Sequence, residues 1–122
     1  MLIRNIDDVE RTAVDMPGVK DATMAVMVGR ADNAPNFAMR QFVVAPGGNT
    51  PRHSHDYEHE VFVVSGTGTV FLDGADQPVR AGDAILVPAD EEHQFRATGT
   101  EPLRFLCMVP MSRDCGDPVP GS

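Results

Sequence analysis

Short runs rich in β-branched and aromatic residues recur every eight to twelve positions along this chain, each closed by Gly, Pro, Asn or Asp. Strands bounded by turns leave this pattern. The runs predict strands over 22–29, 37–45, 51–56, 58–65, 67–73, 77–80, 83–87, 92–97 and 102–109. Asp73-Gly74 has the chemistry of a two-residue hairpin turn, and Pro46-Gly47-Gly48 separates two further runs, so consecutive strands are expected to be antiparallel. The segment 7–16 predicts one short helical turn. The strand count suits a barrel or sandwich over 21–110, flanked by an N-terminal arm, 1–20, at a barrel edge or dimer contact, and a loose tail, 111–122, rich in Pro, Gly and polar residues.

With 122 residues, 42% hydrophobic and 23% charged, the chain makes one ordinary globular domain with a packed core. The net charge of −8 and ten scattered basic residues argue against nucleic acid, whose phosphates require clustered Lys and Arg. No apolar run is long enough for a membrane span, and the N-terminus is charged where a signal peptide would be apolar. The two cysteines, Cys107 in an apolar run and Cys115 in a polar tail, form neither a disulfide framework nor a metal-binding pair. These features lead us to expect a cytoplasmic protein whose partner is a small molecule, with no nucleic acid and no membrane.

Three of the four histidines fall within seven residues, His53, His55 and His59, in PRHSHDYEHEVFVV. In an extended chain alternate side chains share a face, so 53, 55, 57, 59, 61 and 63 point one way while Glu58 and Glu60 point the other. The parity favours His59 over Glu60 as the third inward ligand, since Glu60 would need a β-bulge to join it. Three neutral imidazoles suit Mn, Fe, Co, Ni, Cu or Zn, and poorly suit Ca or Mg, which prefer oxygen.

Residues Gly47 to Gly66 read G-x5-H-x-H-x3-H-x6-G, which resembles the first cupin motif, with His59 where that family usually has Glu. Residues Gly82 to Ala97 read G-x5-P-x-D-x2-H-x3-A, which resembles the second motif. There Asp90 replaces a turn glycine, as Asp can in a left-handed conformation, and Ala97 replaces the usual Asn. The resemblance implies an all-β fold, a single cupin barrel of the jelly-roll or double-stranded β-helix kind, and makes His93 the fourth ligand. A narrower likeness, in NAPNFAMRQFVVAPGG, HSHDYEHEVFVVSG and RFLCMVP, is to small manganese cupins with four-histidine sites. It implies a homodimer and a metal with open positions for small ligands.

Four imidazoles lend no negative charge to the ion. A divalent state is therefore favoured, Mn(II) first and then Fe(II), with Ni(II), Cu(II), Co(II) or Zn(II) also compatible, and an anionic or chelating substrate should be attracted. Phe105 and Cys107 share one face of the last strand, and the narrower resemblance places both near the metal. It also suggests that Arg40, on the face of Ala38, Phe42 and Val44, binds an anionic substrate. Tyr57 and Cys107 are the inward candidates for proton transfer, and one acid of Asp90-Glu91-Glu92 is a candidate partner for the second N–H of His93. The seven dispersed methionines read as core filling. The expected function is a metal-dependent oxidoreductase of dioxygenase type acting on a small oxygenated molecule. The alternatives are a redox-neutral lyase, decarboxylase or isomerase acting on an enolisable acid, and a non-catalytic module that binds a metal or small molecule.

Overall fold

The computed structural model describes residues 1–111. Among them are nine strands: β1 Thr12–Ala13, β2 Lys20–Val28, β3 Phe37–Asn49, β4 His59–Ser65, β5 Thr67–Leu72, β6 Ala75–Arg80, β7 Ala84–Val87, β8 His93–Ala97 and β9 Leu103–Pro110. Every pairing is antiparallel. The strands follow the order β6-β5-β8-β3-β9-β4-β7, with β2 added to β3 and β1 to β2. The described residues contain no α-helix, only a 3-10 turn at Arg30–Asp32. No helix among them is long and apolar enough to cross a membrane.

The 13-residue β3 makes the sheet curl. From Phe37 to Val44 one of its edges pairs with β9, and at Asn49 it pairs with Arg96 of β8. Alternation then lines the concave face. Arg40 lies opposite Cys107, which lies opposite Val61, while Phe42, Phe105 and Val63 form the next row. These six residues are each at most 2% exposed. Phe42 stacks on Phe105 with centroids 5.3 Å apart, and Phe95 stacks on Phe105 at 4.5 Å. Such aromatic pairs add roughly 0.5–1.5 kcal/mol each beyond the area they bury.

The convex face of β2 and β3 is covered by the N-terminal arm. Gln41, fully buried there, donates from Nε2 to the carbonyl of Ile6 at 3.2 Å. Arg4 donates from Nη1 to the carbonyl of Met27 at 2.6 Å and pairs both of its terminal nitrogens with Asp32 at 3.1 Å. Arg104 of β9 holds Asp7 at 3.0 Å. The Nε2 of a buried amide and a backbone carbonyl thus find partners in a segment outside the sheet.

Most predicted strands lie within two residues of the observed ones, and Asp73-Gly74 forms the expected hairpin turn, with both φ angles positive at 53° and 77°. Four expectations differ. The helical turn over 7–16 is replaced by a turn around residues 6–9 and the two-residue β1. Residues 51–56 form no strand, since His53 makes only an isolated bridge to His93. Pro46-Gly47-Gly48 does not interrupt β3. Gly48 instead admits the backbone of β2, because a Cβ there would meet the Lys20 carbonyl oxygen at 2.5 Å. Met111, assigned to the tail, is buried and donates its N–H to the carbonyl of Asn36 at 2.9 Å. The rest of the tail, including Cys115, lies outside the described residues.

Gly66, which closes the first motif, has φ +85° at the turn from β4 to β5, and a Cβ there would lie 2.3 Å from the Pro102 carbonyl oxygen. Gly66→Ala is therefore expected to cost about 2–3 kcal/mol, from left-handed strain plus backbone overlap. Gly74→Ala, with a similar φ but open space, should cost only about 1 kcal/mol. Urea unfolding midpoints of the two variants, at unchanged slope, check the difference.

Candidate metal centre

Two backbone hydrogen bonds bring the two motifs together. His53 N–H donates to the His93 carbonyl at 3.2 Å, and His93 N–H donates to the His53 carbonyl at 2.9 Å. The Asp90 N–H donates to the His55 carbonyl at 2.6 Å, and Asp90 sits at φ +66°, the left-handed turn inferred for a residue replacing glycine. His59 and His93 are the first residues of β4 and β8, so they stand at one rim of the barrel. Side-chain burial alternates without a break from 53 to 60: His53, His55, Tyr57 and His59 turn inward, while Ser54, Asp56, Glu58 and Glu60 are exposed. The predicted parity is therefore present although the predicted strand is not.

The four rings form one cluster. Centroids are 4.5 Å apart for His53 and His55, 4.8 Å for His53 and His93, 4.9 Å for His55 and His93, and 4.4 Å for His55 and His59. His53, His55 and His93 each offer a nitrogen within 4.8 Å of the others, a triad that can hold a metal ion. His59 falls outside that triad but stands 5.3 Å from His93, ring to ring. The Nε2 atoms of His53 and His55 are 3.2 Å apart. Two nitrogens bound to one ion at about 2.1 Å lie about 3.0 Å apart on an octahedral edge and about 3.4 Å on a tetrahedral one. The observed separation suits a shared ion in either geometry.

The tautomer at His93 is fixed by its surroundings. Its Nδ1 lies 2.9 Å from the Glu91 carbonyl, which can only accept, so Nδ1 carries the proton and Nε2 presents its lone pair. The partner is this main-chain oxygen rather than a carboxylate of Asp90, Glu91 or Glu92. The Nε2 atoms of His59 and His93 are both buried without a hydrogen-bond partner among the described residues. Burial, and next the positive charge that His55, Arg40, His93 and His53 would present, pushes the His59 pKa down to about 2. Burial likewise lowers the pKa of His93, against the opposing pull of the Glu91 carbonyl and Glu92. Neutral imidazoles with unspent Nε2 lone pairs are the form that binds a transition metal, and this donor set fits one.

The other predicted residues surround the cluster. Tyr57, half-buried, stacks on His55 at 4.5 Å with the rings 8° apart. Cys107 Sγ lies 3.2 Å from His59 Nδ1, and Arg40 donates from Nη2 to the same sulfur at 3.3 Å. Arg40 is fully buried, with its guanidinium 5.4 Å from the Phe42 ring, so it reaches the cluster through sulfur. Phe105 helps to enclose a cavity of about 10 Å³ behind the rings, with Phe42, Thr50, His59, His93, Phe95 and Cys107. The sequence reading named neither Thr50, Phe42 nor Phe95 as site residues. Parity could have found Phe42 and Phe95, two positions from Arg40 and His93. Nothing in the sequence marked Thr50, which accepts the Phe95 N–H at 2.9 Å through its hydroxyl.

Comparison with known proteins agrees with this architecture. The polyketide cyclase RemF from Streptomyces resistomycificus superposes with a TM-score of 0.85 at 34% identity, covering 91% of this chain and 80% of its own. The 1-methylthio-D-xylulose 5-phosphate methylsulfurylase of Rhodospirillum rubrum is 38% identical over 76 residues, 62% of this chain and 49% of that protein. The oxalate-binding protein of Thermotoga maritima is 32% identical over 65 residues, 52% of this chain and 54% of that one. The chain thus spans about half the length of these two curated relatives. Residues 40–109 match the Cupin domain, from Arg40 on β3 through both histidine segments to the end of the core strand β9, and the chain belongs to the cupin family.

Proposed function

We propose that His53, His55 and His93, with His59 as the fourth ligand, hold one divalent transition metal, Mn(II) first and then Fe(II), and that the centre is catalytic. The observation that carries this reading is the pair of buried Nε2 atoms, on His59 and His93, that spend their lone pairs on no hydrogen bond. A bound ion would supply Lewis acidity and, as manganese or iron, a one-electron redox couple. The chain's contribution is to keep His59 and His93 neutral and to leave the ion's charge uncompensated. A small oxygenated anion that can chelate is the substrate class this favours. An organic ligand must approach from the side of the half-buried His53 and His55, because the cavity behind His59 and His93 has room only for a molecule the size of water.

The reaction we favour is dioxygenase-type oxidation. Apolar rings of Phe42, Phe95 and Phe105 line the inner wall of the site, and Glu58 and Glu60 are turned outward, leaving no carboxylate from that segment to shuttle protons. A redox-neutral lyase or isomerase is the second reading. It is favoured by Tyr57, an ionisable hydroxyl-bearing ring against His55, and by the relatives described as a cyclase and a methylsulfurylase. We also infer a cytoplasmic homodimer. The exposed Phe62 and Leu86, diagonal neighbours on the convex face of β4 and β7, support the dimer contact.

Elemental analysis of protein purified without a chelating column should find one transition metal per chain. His53→Ala and His93→Ala should lose it and Glu60→Gln should keep it. Retention in both alanine variants would overturn the site. Oxygen consumption with a panel of keto acids, catechols and enols separates the two reactions: the dioxygenase reading expects uptake matched to substrate loss and absent in His93→Ala, whereas turnover under argon would assign the redox-neutral one. In metal-free protein, His59 titrates near pH 6.5 when unfolded but stays neutral when folded, so the unfolded state binds the extra proton as pH falls. Stability should drop by about 2–3 kcal/mol between pH 6.5 and 4.5 from this residue alone. Urea titrations of the parent and His59→Gln proteins at both pH values measure that difference, and equal pH dependence would contradict it.

A further inference from the structure

We infer that Cys107 is a positioning residue for the metal centre: its sulfur accepts the Nδ1–H of His59 and so fixes the tautomer that leaves the lone pair on Nε2. This rests on the metal-binding reading of the histidine cluster and deepens it. The sulfur stands 3.2 Å from His59 Nδ1 and 3.3 Å from Arg40 Nη2. A guanidinium can only donate, so one lone pair of the sulfur is already committed to Arg40. The thiol keeps its own proton in either arrangement: it donates S–H to a bare Nδ1, or turns the S–H aside and accepts Nδ1–H on its remaining lone pair. In the first, a neutral His59 would carry its proton on Nε2, a buried atom with no acceptor among the described residues. The second turns aside only a weak S–H donor, so the His59 proton belongs on Nδ1.

His93 provides the parallel within the same site. There a main-chain carbonyl accepts from Nδ1 and leaves Nε2 bare. The inward face of β9 offers no carbonyl at the corresponding place beside His59, because the main chain of β9 is engaged in the ladders with β3 and β4. A side chain must supply the acceptor, and among the described residues Cys107 is placed to do so. Arg40, directly opposite Cys107 across the β3–β9 ladder, holds the sulfur from the other side. Together the two residues turn one histidine into a ligand of defined direction, the role that hydrogen-bond partners behind metal-binding histidines usually fill.

The test is long-range proton–nitrogen NMR of the full chain, ¹⁵N-labelled at histidine, stripped of metal and then loaded with Zn(II), combined with Zn(II) affinity by competition with a chromophoric chelator. In the metal-free parent, His59 should show a protonated Nδ1 and a bare Nε2. Cys107→Ser keeps an acceptor and should retain that tautomer, with affinity within about threefold of the parent. Cys107→Ala should shift His59 toward the Nε2–H form and weaken Zn(II) binding about 10–100-fold. An Nε2–H tautomer in the parent, or an alanine variant with unchanged tautomer and affinity, would overturn the inference. If the alanine variant does not fold, the parent spectrum and the serine variant decide the matter. A parent that shows Nδ1–H but binds no Zn(II) would uphold the hydrogen bond and sink the metal reading.

Discussion

Reciprocal backbone hydrogen bonds between His53 and His93, flanked by those of Asp90 to His55 and Thr50 to Phe95, hold the site together. The His53–His93 bridge joins segments forty residues apart in the chain and sets the two rings side by side. His55 follows His53 by two residues and His59 opens β4, while His93 opens β8. A backbone bridge costs little in side-chain entropy, because the ligands themselves need make no structural bonds across the gap. The imidazole nitrogens are thereby left for other work.

That economy explains the electrostatic character of the centre. The rim of the barrel turns its acids outward and its imidazoles inward, so the interior contains polar donors but no anion from residues 53–60. Burial then keeps His59 and His93 neutral, since each charged form would lose its hydration in the company of other bases. The interior behind the rings is closed by stacked phenylalanines, which limits what can share the cavity with an ion. Metal affinity and substrate size would thus both follow from one packing pattern.

The fold was legible in the sequence because strand burial has a period of two and the turns carry Gly, Pro and Asp at the positions they require. Local errors arose where tertiary contacts outweighed local chemistry. Gly48 reads as a turn residue but serves the close approach of β2 to β3, and 51–56 reads as a strand although β8 offers it only one bridge. The inward direction of His55, Tyr57 and His59 nevertheless followed from parity, because the loop preserves the alternation of a strand. What the sequence could not reveal was the surroundings of each imidazole. The acceptor for His93 is a backbone carbonyl, invisible to residue-type reasoning, and the contact of Cys107 with His59 depends on the register of β9 between β3 and β4.

The central claim is that histidines from two separate motifs share a single ion. X-ray absorption at the metal edge of the loaded protein tests it most directly, since imidazole rings leave a multiple-scattering signature that carboxylates and water lack. The account predicts a nearest shell dominated by nitrogen at about 2.0–2.2 Å with scattering from three to four imidazoles. A shell made mainly of oxygen, or one that includes sulfur, would contradict it.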